Sequence, residues 1–271
     1  MVDQVTFVSQ YKFHSDLHTH MNANLAPDIL IALGIHHQIR YPLYYIKKLG
    51  LKCSEAQQKR LEEMRKITAG QFSESRLTGK YLTRKIDDNT FINFADLILN
   101  DPEDAAWNIP RIRASLAVMK DGQAVFTNLE KVYLYRYVFA KGKPADYRIE
   151  AVDADQIPDE EIRDALKQMM LDRENPSYRN NTLFQDKLLW IARGYQKSGI
   201  AYAEISDTTL VKKHEAAHML KQVHDVMPAV TEETGVVLRF LAAVRRIPLT
   251  IVKDEINSDY VKENLQVLRA V

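Results

Sequence analysis

His18 and His20 lie two residues apart in Phe13-His14-Ser15-Asp16-Leu17-His18-Thr19-His20-Met21, a segment that alternates as a β-strand does. Side chains at i and i+2 of a strand leave the same face, so two imidazoles there converge on one point, as a divalent cation such as Zn2+ requires. Alternation puts Asp16, His18 and His20 on one side and Leu17, Thr19 and Met21 on the other. Two ligands do not make a site, and the bare pair also reads as two polar residues at a strand end; an aspartate or a third histidine has to complete it. A second constellation is His214-Glu215-Ala216-Ala217-His218, a formal H-E-x-x-H. In that pattern two histidines one helical turn apart hold zinc, and the glutamate activates water for peptide hydrolysis. His224 falls where the extended form of the motif has its third ligand. Lys221, however, occupies the glycine position at which that form turns, and Lys212 and Lys213 bring positive charge to the cation. A core stripe of Ala217, Leu220, Val223 and Met227 also leaves His214 and His218 on the wet side of the helix. His214, His218 and His224 therefore form an alternative metal set, for a zinc metalloprotease, beside a plain reading as a solvated helix face.

The elements that carry these residues are legible at both ends of the chain. After the first strand, Pro27 and Asp28 suit a first helical turn, and Ile29, Leu30 and Leu33 give it an apolar stripe. Ser54 and Gln57 spell a capping box for a polar, exposed helix running through Leu61, Met64 and Ile67. Residues 70–180 read as an elaboration, with helices expected at 91–99 and 102–117 and a turn at Asp121-Gly122. Residues 132–139 alternate like a strand, yet Asn128 also caps a helix through them to Gly142, and both readings stand. Pro158-Asp159 opens a helix whose Ile162, Ala165, Leu166, Met169 and Met170 form a core stripe. Then helix and strand alternate: helix 183–198 closed by Gly199, strand 200–206, helix 213–233 closed by Gly235, strand 236–244, and helix 258–268 capped by Ser258. Such alternation predicts an α/β fold with a parallel sheet or a (β/α) barrel, and puts Glu204 and Arg239 on adjacent strands, as an ion pair or as a catalytic acid with its partner.

Composition excludes several classes. The 271 residues carry 37 Lys plus Arg against 36 Asp plus Glu, so no basic surplus argues for nucleic acid. With 46% hydrophobic residues, nine Gly and nine Pro, the chain is neither disordered nor of low complexity. The lone Cys53 forms no internal disulfide and no leader is evident, so a cytoplasmic location is expected. No apolar run reaches the roughly 18 to 20 residues that span a bilayer, so no membrane is expected as a partner. His14, His36 and His37 read as surface or helix-end residues.

The segment from Asp16 through His18, His20 and Asn22 to Leu30 resembles the first strand and following helix of adenosine deaminase-like proteins, of the amidohydrolase superfamily. Phe91 to Ile98 is similar to that family's short helical segment near the substrate pocket, Leu188 to Ser206 to its second strand with the preceding helix, and Gly235 to Arg246 to its third strand. The resemblance implies a (β/α)8 TIM-type barrel, present here in part as a single domain over 1–271, with the mostly helical insertion between its first and second strands. It implies Zn2+ held by His18 and His20, and hydrolytic deamination of adenosine or a related adenine nucleoside or nucleotide. Met21-Asn22-Ala23 stands where the family has a Leu-Asp-Gly type sequence; Asn22 still offers a hydrogen bond to a sugar hydroxyl. The family's third zinc-binding histidine, catalytic glutamate and metal-binding aspartate lie on later strands, so a longer deaminase, or completion by another polypeptide, is expected. The alternative is a non-catalytic assembly module. The large insertion and the altered residues after His20 resemble the deaminase component of RADAR-type bacterial antiphage systems more than a compact housekeeping deaminase, which implies a homo-oligomer and a partner ATPase.

Overall fold

Gly199 and Gly235 take the left-handed backbone conformation, φ +75° and +69°. Only glycine does so cheaply at a helix end, and each of these two releases the chain into a strand. The computed structural model describes residues 14–21, 24–59, 62–63, 91–93, 95–116, 154–212, 215–243 and 260–270. These fall into two compact units, one drawn from Met1–Leu25, Pro176–Pro248 and Ile256–Val271, the other from Ala26–Asn175 and Leu249–Glu255.

The first unit is α/β. Its strands β1 (Ser15–His20), β4 (Tyr202–Asp207) and β5 (Val237–Ala242) form a parallel sheet in the order β1-β4-β5. Parallel neighbours need a crossover between them, and α7 (Ala216–Thr234) supplies the one joining β4 to β5. Helix α6 (Leu183–Lys197) precedes β4 and packs against α7. It buries Leu188, Ile191, Ala192 and Tyr195, an i, i+3, i+4, i+7 stripe, in line with Ala203, Ile205 and Leu238 of the sheet. The remaining described helix of this unit, α8 (Tyr260–Ala270), contacts the 3-10 turn Thr208–Val211 after β4.

The second unit centres on α1 (Pro27–His36), in which Leu30 through Ile35 are all buried. A helix apolar all round is an internal one; α1 packs along α5 (Glu160–Asp172) and touches α4 (Pro102–Leu116). Arg113 of α4 ties the other two together, donating to Asp28 at 2.6 Å and to Asp159, the N-cap of α5, at 2.5 Å. The Ser54–Gln57 capping box forms in both directions, and the turn after it is exposed. Two expectations fail here. Phe91–Asn93 is not helical but a short strand β3, antiparallel to β2 (Arg40–Pro42), which is followed by α2 (Leu43–Leu49); helix starts only at α3 (Asp96–Leu99). Three residues show no period, and β-prone Phe91-Ile92 with a waiting partner strand overrides the helical reading. Met170 is 43% exposed, one step round the helix from the buried Met169. The segments 61, 64, 67, 117–153 and 258 that carry other expectations lie outside the described residues. No helix among the described residues is long and apolar enough to cross a membrane.

Candidate functional site

The register of β1 against β4 decides which way the histidines face. Ser15 pairs with Tyr202 and Asp16 with Ala203, but Thr19 pairs with Ile205 and His20 with Ser206. Two residues of β1, Leu17 and His18, therefore stand opposite the single Glu204, which is a β-bulge. Strict alternation would keep Asp16, His18 and His20 on one face, as the sequence suggested. The bulge breaks that set. Asp16 and Thr19 go to the side covered by α6, while His18 and His20 share the opposite side, where both are exposed and where Leu17 is 60% exposed.

On that side the two imidazoles stand edge to face, with centroids 5.6 Å apart and planes at 84°. Two imidazoles on one tetrahedral zinc ion have centroids on the order of 5 Å apart, from Zn–N bonds of about 2 Å. The pair thus fits two of the ligands, and it stands at the carboxyl end of a parallel strand, where α/β folds place their chemistry. Among the described residues no third histidine, cysteine or carboxylate joins His18 and His20 at ligand spacing. Asn22, expected to face a sugar, lies outside the described residues.

Beneath the pair is a polar network that the sequence did not announce. Asp16 uses both carboxylate oxygens: Oδ1 accepts the backbone N–H of His18 at 3.2 Å, and Oδ2 accepts the Tyr195 hydroxyl at 2.8 Å. Thr19 Oγ1 donates to Asn24 Oδ1 at 2.6 Å, and the Tyr195 hydroxyl lies 3.3 Å from the same oxygen. Burial, and then the bond to Asp16, push the Tyr195 phenol up to about 12, so it stays a donor at neutral pH. Asn24 Nδ2 is buried without a hydrogen-bond partner among the described residues. Only the bulge brings Asp16 and Thr19 together, and no periodicity foretells a bulge.

Glu204 and Arg239 are direct neighbours in register, as expected, yet no ion pair joins them. Arg239 is exposed, and Glu204 instead accepts the Tyr202 hydroxyl at 2.9 Å, two residues back on the same face. That bond, more than burial, raises the Tyr202 phenol. At the end of β4, Asp207 Oδ1 accepts the Thr209 N–H at 2.5 Å, and its charge faces the fully buried Lys187 of α6. Burial pushes the Lys187 ammonium down to about 8, with Asp207 opposing the shift.

The H-E-x-x-H residues are not assembled as a protease needs them. Helix α7 begins at Ala216, so Glu215 sits at its N-cap, where Lys212 donates to Glu215 Oε2 at 3.1 Å. His214 lies outside the described residues. His218 is exposed, as expected, and so is His224, but the buried stripe is Ala216, Met219, Val226 and Val230, turned from the one read in the sequence. Both stripes of α7 are apolar, and it is the face turned to α6, anchored by Gln185 Nε2 on the Gln222 carbonyl at 3.1 Å, that is buried. Compared with family models, with curated proteins and with solved structures, the chain finds no match in any of the three.

Proposed function

We propose that this chain supplies the first part of a zinc site in a hydrolase of the adenosine deaminase-like kind, acting on adenosine or a related adenine nucleoside or nucleotide. One observation carries the reading. His18 and His20 stand side by side on the face of a parallel sheet that α6 does not cover, at the carboxyl end of β1. A barrel strand has this asymmetry, helices on one side and reactive residues on the other at the strand's end. On this proposal β1, β4 and β5 are the first three strands of a (β/α)8 barrel, and the chain between β1 and β4 is its insertion.

In that site His18 and His20 hold the cation through neutral ring nitrogens. A bound Zn2+ supplies a water acidified to near neutral pH, suited to add at C6 of adenine with loss of ammonia. Asn22 offers its amide to a sugar hydroxyl, and Glu204, whose carboxylate the Tyr202 hydroxyl orients, stands on the same face of the sheet as the histidines. On this proposal the third ligand and the general acid are residues other than those the structure describes around the pair. The resemblance to RADAR-type deaminases adds a homo-oligomer and a partner ATPase to the proposal, and long insertions are where such contacts are commonly built.

The test is zinc content per chain, by elemental analysis after dialysis, for the wild type, His20→Ala and His218→Ala, together with ammonia release from adenosine. The proposal expects zinc in the wild type and in His218→Ala, and its loss in His20→Ala. Zinc lost only in His218→Ala moves the site to α7 and sinks the deaminase reading. Zinc lost in neither variant removes both sites.

A further inference from the structure

The bulge in β1 is held from outside the sheet. An extra residue in one strand leaves a backbone N–H without its ladder partner. Here the His18 N–H finds Asp16 Oδ1 at 3.2 Å, a bond within the strand itself. The same carboxylate is anchored through Oδ2 to the Tyr195 hydroxyl at 2.8 Å, and Tyr195 belongs to α6, 179 residues further along the chain. One carboxylate therefore links the residue that bears an imidazole to the helix behind the sheet. A regular β1 with Asp16 facing α6 turns His18 and His20 inward with it, because a slip of one residue exchanges the faces.

We propose that Asp16 and Tyr195 are positioning residues for His18: the carboxylate, held by the tyrosine hydroxyl, fixes the bulge that turns His18, and His20 with it, onto the face that α6 does not cover. The inference deepens the metal-site reading and rests on it for its purpose, though not for its geometry. A group that orients a ligand without touching the cation changes affinity by roughly 10- to 100-fold when removed.

The experiment titrates the full chain with Co2+, whose visible absorption reports the ligand set, and follows the histidine ring resonances by 1H–15N NMR. The variants are Tyr195→Phe, Asp16→Ala and Asp16→Asn, with His18→Gln to assign the His18 signals and thermal unfolding to follow the fold. Tyr195→Phe removes only the hydroxyl, and Asp16→Asn keeps an acceptor for the His18 N–H. The inference expects about tenfold weaker Co2+ binding in Tyr195→Phe, a larger loss in Asp16→Ala and partial rescue in Asp16→Asn. It also expects shifted His18 resonances in the first two, with those of the exposed His224 unmoved. Wild-type affinity in Tyr195→Phe and Asp16→Ala, while His18→Gln still abolishes binding, overturns the inference and leaves the metal site standing. A wild type that binds no Co2+ overturns the metal site instead, and the His18 resonances then decide the clamp alone: shifted signals uphold it and unmoved signals refute it.

Discussion

Whether a residue was legible depended on whether its neighbours obey a period. His18 and His20 stood out because i and i+2 share a face whether or not the strand is bulged below them. Asp16 did not, because its place on the other face exists only through the extra residue at Leu17 and His18. The missing Glu204–Arg239 pair has the same lesson at smaller scale: register brought the two opposite, but Tyr202 on the same strand took the carboxylate. Lys187 escaped notice because nothing in a sequence marks which lysine of an amphipathic helix is fully buried. Its consequence is measurable. With its folded pKa at about 8 and its ordinary value at 10.5, the unfolded chain holds a proton across that interval which the folded chain has released. Stability due to this group therefore rises with pH from about 8 to 10.5, by roughly 1.4 kcal/mol per unit at most, and is flat below it. In urea unfolding from about pH 7 to 10.5, the wild-type midpoint is expected to rise with pH relative to that of Lys187→Met, and parallel curves refute the assignment.

Elements were legible where a cap or a stop is written in the chain. Asp159 caps α5 by accepting the Ile162 N–H at 3.2 Å, and Gly199 and Gly235 end α6 and α7 as expected. Elements too short to show a period, β3 above all, were not legible. The cap of α6 does more than begin a helix. Thr182 Oγ1 accepts the Gln185 N–H at 3.3 Å, Gln185 Oε1 accepts the Thr182 N–H at 2.9 Å, and the threonine hydroxyl then donates to Gln222 of α7 at 2.6 Å. One hydroxyl thus closes the first turn of α6 and joins it to α7. Thr182→Ala is expected to cost about 1 to 2 kcal/mol in a urea unfolding series, against a few tenths for Thr182→Ser, which keeps both bonds. Equal effects of the two substitutions dismiss the hydroxyl as the cause.

At the scale of the molecule the sequence showed a long stretch between the first strand and the next, but not that it closes on itself as a unit with its own buried helix. The two units carry one tryptophan each. Trp107 donates to the Gly50 carbonyl at 2.9 Å with the Arg111 guanidinium 3.4 Å over its ring, and Trp190 lies on α6. Closing a loop costs entropy that grows with its length, and packing α1 along α5 shortens the loop that separates β1 from β4. In refolding, the fluorescence of Trp107, read in Trp190→Phe, is expected to recover before that of Trp190, read in Trp107→Phe. Arg113→Ala, which unties α1 from α5, is expected to slow both, and a Trp190 phase indifferent to it refutes the nesting. The same separation sets a schedule on the ribosome. Ser15 pairs with Tyr202, so at about 5 to 20 residues per second the ribosome makes β1 some 10 to 40 seconds before its partner strand. For that time the strand bearing both histidines waits for β4, its neighbour among the described strands: the earliest described element to be made is among the last to be paired.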